Sequence, residues 1–282
     1  MHHPPFLIGL IITLGWAAAS CNLEQEVELN LPTYDSRLVV ECYLEPDQPY
    51  RLLLSRSAAY FDSFPVFGSD FLDEIFVDEA LVTITHRGKA VRLSNNPVLD
   101  REQEKVFNYW SPEKVPADFE EPFYLQIITA EDDTLRATTT LLPAVPIDSI
   151  VVEFQENDTL ARVLTYLTDP PDTSNFYRRV LHEGSLQTRP EQDFPSDDRI
   201  VENILVYGTG FDYAPGDTLI NTVFHIEPAY HDFLETINRA TASNGNPFAQ
   251  PSPIISNLFG TTEAIGIFTG LSYDRRQTVI PK

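Results

Sequence analysis

Asp169, Asp172, Asp193, Asp197 and Asp198 crowd into two loop-like stretches of the C-terminal half. Loop carboxylates supply the hard oxygen ligands that calcium takes. A pair of them could also act as acid and base in glycoside hydrolysis. The spacing argues against both, because no calcium-loop pattern is present. Asp-Pro and Asp-Asp pairs are ordinary turn residues, and Asp198-Arg199 reads as an ion pair. Asp169, Asp172, Asp197 and Asp198 are weak calcium candidates, and turn residues are the preferred reading.

Behind the apolar leader stand His86, His182, His225 and His231. His225 with Glu227, and His231 with Asp232, are close enough in sequence to contribute to a metal site. A zinc site needs three or four converging ligands, and these residues straddle a strand-to-helix turn. Surface histidines are the preferred reading. The chain has no Gly-rich phosphate loop, zinc spacing or nucleophile elbow. The expectation is therefore a non-enzymatic protein with no catalytic residues and no cofactor.

A second kind of chemistry is recognition. Tyr60, Phe61, Phe64, Phe67 and Phe71 sit among acids, Gly and Pro in one loop. Exposed aromatics at a loop tip would anchor a protein partner or a sugar ring. Folding down over a sheet edge is the structural alternative and the preferred one.

Cys21 closes a run of small residues behind the apolar stretch Phe6 to Trp16. That stretch has signal-peptide length and is short for a span of roughly 20 residues. A small residue ahead of a cysteine resembles a bacterial lipoprotein signal, although Met1 to Pro5 lack Lys and Arg and Ala18 replaces the usual Leu. Lipidation of Cys21 is the expectation. The acidic run Glu24 to Glu28 resembles a surface-export signal, with a solvated acidic tether as the alternative.

The body that these residues would serve has a formal net charge of -23 and a pI near 4.4. Such a surface repels nucleic acid and anionic lipid. Hydrophobic residues make up 43% of the 282, which excludes a disordered tail. Cys42 shares one strand face with Leu38, Val40 and Leu44, so it reads as an inert core residue.

Short alternating segments recur along the chain. Leu38 to Leu44, Tyr50 to Ser55, Glu79 to Thr85, Ala90 to Leu93, Phe123 to Ile128 and Leu135 to Leu141 read as strands. Arg87-Gly88-Lys89 reads as a hairpin turn. This set predicts an immunoglobulin-like β-sandwich. Pro143 to Pro146 reads as a linker. Ile147 to Phe154, Ala161 to Thr168, Asn175 to Leu181 and Thr218 to Ile226 continue in strand pattern. Tyr230, Phe233, Leu234 and Ile237 fall at helical spacing behind Pro228. The expected architecture is mainly β, with a signal peptide at 1–20, a tether and sandwich at 21–143, and a second β-rich domain with one amphipathic helix at 144–282.

The order of these segments also resembles a known family. The quoted features are Leu38-Val39-Val40, Glu79 to Ile84, Phe123-Tyr124-Leu125, Asn175-Phe176-Tyr177 and Asp197-Asp198-Arg199. Gly216-Asp217, the Tyr230 helix, Asn246 to Pro251, Ser256 to Phe259 and Ala264 to Phe268 follow in the same order. Together they resemble the lipoprotein family called domain of unknown function 4249. The resemblance implies an outer-membrane lipoprotein with a β-sandwich first domain, of a kind that often accompanies TonB-dependent transporters. With lipid on Cys21 and the acidic run behind it, the expectation is a body that faces the cell surface. It implies no catalytic residues. A surface module binding glycan or peptide on its own is the alternative.

Overall fold

A computed structural model describes residues 36–57, 75–100, 105–156, 159–171, 173–199, 203–243 and 253–282. In β1 (Leu38–Leu44) every second side chain is buried, and these are Leu38, Val40, Cys42 and Leu44. That is the alternation expected of a strand with one face on a core. Burial raises the pKa of the Cys42 thiol, so it stays protonated.

Eight further strands extend β1 into one sheet. They are β2 (Pro49–Arg56), β3 (Leu81–His86), β4 (Lys89–Asp100), β5 (Lys105–Lys114), β6 (Phe123–Ile128), β7 (Thr134–Thr139), β14 (Phe259–Gly260) and β15 (Ala264–Gly270). Their order is β14-β7-β6-β3-β4-β5-β2-β1-β15. Arg87 and Gly88, both with positive φ, make the β3–β4 hairpin turn. β4 then does double duty. Its first half pairs with β3 and its second half with β5, with a register shift between Asn95 and Val98. Pro97 sits in that irregularity, where no ladder donor is needed. The bend lets the two halves of the sheet face each other as a sandwich. Leu52, Leu54, Ile84, Leu125, Ile127 and Phe268 meet in its shared core.

The second domain stacks two smaller sheets. One has the order β11-β10-β13-β16, from β11 (Gln192–Asp197), β10 (Phe176–Glu183), β13 (Thr218–Ile226) and β16 (Ser272–Val279). The other has the order β12-β9-β8, from β12 (Ile204–Gly208), β9 (Ala161–Thr168) and β8 (Ser149–Phe154). Tyr177, Leu205, Tyr207 and Val223 fill the space between them, joined by Val145 of the expected linker and by Ile147, which opens the expected strand behind it. The linker is further pinned by His225, whose Nδ1–H donates to the Pro143 carbonyl at 2.8 Å, and by Asp274, which accepts from the Ile147 N–H at 2.8 Å.

The sheets cross the expected boundary. β14 and β15 lie beyond residue 144 yet belong to the first sheet, and β15 pairs in parallel with β1. Leu271 alone separates β15 from β16 of the second domain. The chain thus passes between the domains three times, at 143–147, between β13 and β14, and again at Leu271. Sequence pattern missed β5, β11, β12 and the tail strands. Most of these are short or interrupted by polar residues and Pro, as in Gln192–Asp197.

Helix α1 (Pro228–Ser243) wedges against both domains. Its predicted face lands as expected, with Tyr230 and Phe233 buried and Leu234 and Ile237 partly so. That face covers Ile267 and Leu271 of the first domain's return as well as Ile226 and Phe176. Among the described residues no helix is long and apolar enough to cross a membrane.

Glu227 ties the start of α1 to the sandwich. Thr139 Oγ1 donates to one carboxylate oxygen, and the Thr140 N–H donates to the other at 3.1 Å. Thr139 Oγ1 in turn accepts from the Gly270 N–H at 3.0 Å. Burial raises the Glu227 pKa above its ordinary value of 4.5, against the lowering pull of these donors. A raised carboxyl stabilises the fold below the unfolded pKa, and that contribution is lost as pH rises through the folded value. We expect Glu227→Gln to gain stability relative to the native chain between pH 4.5 and pH 7. Urea midpoints at the two pH values check this. Glu227→Ala, which orphans the Thr140 donor, should cost about 1–3 kcal/mol.

Candidate functional site

Adjacent residues of a strand point to opposite faces, and β10 uses this with two consecutive arginines. Tyr177, Arg179 and Leu181 turn toward the three-stranded sheet, and all three are buried. Arg179 Nη2 donates to Asn221 Oδ1 at 3.0 Å, and Nη1 donates to Gln192. Burial lowers its pKa to about 10. Arg178, Val180 and His182 turn the other way, toward the first domain.

There they form one wall of a cleft of about 990 Å³ at the domain junction. Strand register builds this wall in rows. Asp193, Val180, Thr222 and Arg275 lie side by side across four strands, with Arg178, Phe224 and Tyr273 in the row beside them. The facing wall comes from the sandwich, through Tyr43 of β1, Arg51 of β2, Asp100 of β4 and Lys105 of β5. Leu271 sits at the crossover, and the loop from Leu186 to Pro190 forms a rim.

The electrostatics of this cleft differ from those of the whole chain. Arg51, Lys105, Arg178, Arg189 and Arg275 are five of the 19 Lys and Arg, while Glu45, Asp100 and Asp193 are three of the 42 Asp and Glu. Most of these charges are already paired. Arg51 bonds to Asp100, and Lys105 to Glu41. Arg178 grips Asp193 in a two-pronged contact, Nε to Oδ1 at 2.7 Å and Nη2 to Oδ2 at 2.6 Å, while Nη1 donates to the Tyr230 hydroxyl at 2.9 Å. Burial works against the Arg178 charge, but the Tyr230 oxygen and Asp193 outweigh it and raise its pKa.

Two cations remain over. Arg275 stacks over the Tyr273 ring at 4.6 Å and donates through Nε to Thr222 Oγ1 at 3.0 Å. Neither it nor Arg189 has a carboxylate partner among the described residues. His182 lies in the same wall, and its Nδ1 is buried without a hydrogen-bond partner. Burial and the nearby Arg275 and Arg178 charges lower the His182 pKa, with Asp193 opposing.

Of the residues singled out from sequence, Asp193 and His182 line this cleft, and the other described ones go elsewhere. Asp169 accepts from the Tyr177 hydroxyl at 2.6 Å and from Asn175 Nδ2 at 3.4 Å. Asp198 accepts from the Asn175 N–H at 2.6 Å, so Asp169 and Asp198 brace one turn. Arg199 pairs with Asp197 and lowers its pKa. His231 Nε2 comes no closer than 4.0 Å to Asp197, and His225 and Glu227 are engaged as described. His86 stacks on Phe123 at 3.9 Å and contacts Asp118 at 3.0 Å. Among the described residues no group of three or more His, Cys, Asp or Glu side chains is arranged to hold a metal ion. Cys21, Tyr60, Phe61, Phe64, Phe67, Phe71 and Asp172 lie outside the described residues.

Sequence reading touched the cleft only at Asp193 and His182 and did not bring its residues together. The available signal was period two in β10 and β16, where Arg178 and His182, and Tyr273 and Arg275, fall on one face.

Comparison with known proteins decides the family. The sequence model described as "Domain of unknown function (DUF4249)" matches residues 24–277. The chain belongs to this family. No curated protein matches this DUF4249 chain. Thirty chains of solved structures match, among them one titled "Cytokine receptor complex - Crystal form 1A". Its identity is 11%, covering 68% of the DUF4249 chain and 86% of that chain, with a TM-score of 0.26.

Proposed function

We propose that this DUF4249 chain is a non-enzymatic binding protein, anchored in the outer membrane through lipid on Cys21. In this reading it is surface-facing and serves as an accessory of a TonB-dependent transporter. The junction cleft is its ligand site and is the observation that carries the proposal. Pockets at domain interfaces are the usual place for small-molecule sites. The three crossings of the chain hold its walls in place before a ligand arrives, which reduces the ordering cost of binding. The lipid anchor is supported by Cys21, which stands just ahead of the family match opening at residue 24.

Two measurements test the reading. The native precursor, expressed in a Gram-negative host, should fractionate with membranes, and Cys21→Ala should move it to the soluble fraction. Detergent-solubilised protein from its own cells should bring down an outer-membrane transporter. A protein that stays with membranes after Cys21→Ala refutes the anchor, and purification without a membrane partner refutes the accessory role.

The second reading is a surface module that binds glycan or peptide alone. Tyr43, Phe224 and Tyr273 favour it, since aromatic rings line the cleft walls. Ligand retention by the soluble body without a transporter, lost in Phe64→Ala with Phe67→Ala, would place that site on the aromatic loop instead.

A further inference from the structure

We propose that the junction cleft binds small organic oxyanions, a carboxylate or phosphate group being held by the guanidinium fork of Arg275 with Arg189 at the rim. This rests on the reading of the cleft as a ligand site and adds the chemical class of ligand.

The argument starts from a surplus of charge. In a chain of net charge -23, a cleft that gathers five cations and three anions is unexpected for a surface tuned only for solubility. Ion pairing explains Arg51, Lys105 and Arg178. It does not explain Arg275 and Arg189. Arg275 is prepared for a ligand in a specific way. Its Nε is committed to Thr222 and its guanidinium carbon lies 4.6 Å from the Tyr273 ring centre, while its two terminal nitrogens have no hydrogen-bond partner among the described residues. A planar fork matches the two oxygens of a carboxylate or phosphate. The same aromatic ring offers an apolar surface for the ligand's carbon skeleton.

His182 is a further polar group in this wall. Its Nδ1 is a buried polar atom with no partner, and such atoms in folded proteins are normally satisfied. It stands in the same wall as Arg275, on the same face of the four-stranded sheet. An oxyanion entering the cleft meets the positive field of Arg275 and Arg178. Arg178 contributes field but no free fork, because Asp193 and Tyr230 occupy it.

The test uses calorimetric titration of the full mature chain with citrate and, separately, with inorganic phosphate, against glucose as a neutral probe. The expected result is saturable 1:1 binding of at least one anion, with a Kd at or below about 1 mM and none for glucose. Arg275→Gln should weaken that binding roughly 10- to 100-fold, the range of a charge-assisted contact. Arg275→Glu should abolish it, while Arg239→Gln, on the exposed side of α1, should leave it unchanged. The thermal midpoints of the variants report that they are folded. The preference for citrate or phosphate distinguishes the two ligand groups. Absence of saturable binding by both anions overturns the proposal, as does binding that survives Arg275→Glu. Binding of glucose in a manner indifferent to Arg275 overturns the anion assignment while leaving a ligand site. Membrane fractionation and transporter co-purification are separate readouts, so failure of the broader reading shows there.

Discussion

Gly266→Ala is expected to lower the stability of the chain by about 3–5 kcal/mol, the sum of backbone strain and overpacking. Gly266 has φ +139°, a region that L side chains rarely adopt. A Cβ there would lie 1.8 Å from the Val40 carbonyl oxygen and 2.7 Å from its carbon. Neither neighbour can move, because Val40 and Gly266 are register partners in the parallel β1–β15 pair. The variant must give up part of that pairing, which is the contact that returns the C-terminal tail to the sandwich. Gly184→Ala is the matched control. Gly184 also has positive φ, +73°, but nothing lies within 4 Å of its Cβ position, so the cost there should be only about 1 kcal/mol. Urea unfolding of both variants checks the pair. Equal losses would mean that φ alone matters and that the close approach of β15 to β1 is wrong.

Tyr230→Ala should cost a similar amount, about 3–5 kcal/mol, as for other large aromatics removed from a core. Tyr230 is buried at the junction, edge-on to Tyr43 of the sandwich at 5.9 Å and beside Phe233 of its own helix. Its hydroxyl accepts from Arg178, so truncation also leaves that guanidinium short of a partner. Tyr230→Phe separates the two contributions. It keeps the ring and loses the hydrogen bond, at an expected cost of about 1–2 kcal/mol. In a chain of this size each kcal/mol lowers the unfolding temperature by roughly 2–4 °C. The Ala variant should therefore melt roughly 6–20 °C below the native chain, and the Phe variant roughly 2–8 °C below it. A Phe variant as unstable as the Ala variant would shift the importance from packing to the polar contact.

These two residues show what was legible from sequence. Tyr230 declared itself, because Tyr230, Phe233, Leu234 and Ile237 repeat with helical period behind a proline suited to the first turn. The surface on which that face lands was not declared. That face covers Ile226 and Phe176 of the second domain and also Ile267 and Leu271, which the tail carries back from the first. Gly266 gave no signal, since its role depends on a parallel partner more than 200 residues earlier in the chain.

The sequence by itself determined the local elements and the broad class. Alternation in Leu38 to Leu44 placed Cys42 in the core, Arg87-Gly88-Lys89 made its hairpin, and the ordered segments pointed to the DUF4249 family. Local periodicity suffices there because burial of one strand or helix face is decided within a few residues. Only the tertiary structure decided where the charges meet. Arg51, Arg178, Arg189 and Arg275 are far apart in the chain and look like scattered surface cations. Strand register and the three domain crossings bring them to one cleft, while Asp169 and Asp198, which stood out in the sequence, brace a turn and Asp193 and Asp197 pair with arginines. Convergence of side chains is a property of long-range pairing, and no short-range pattern encodes it.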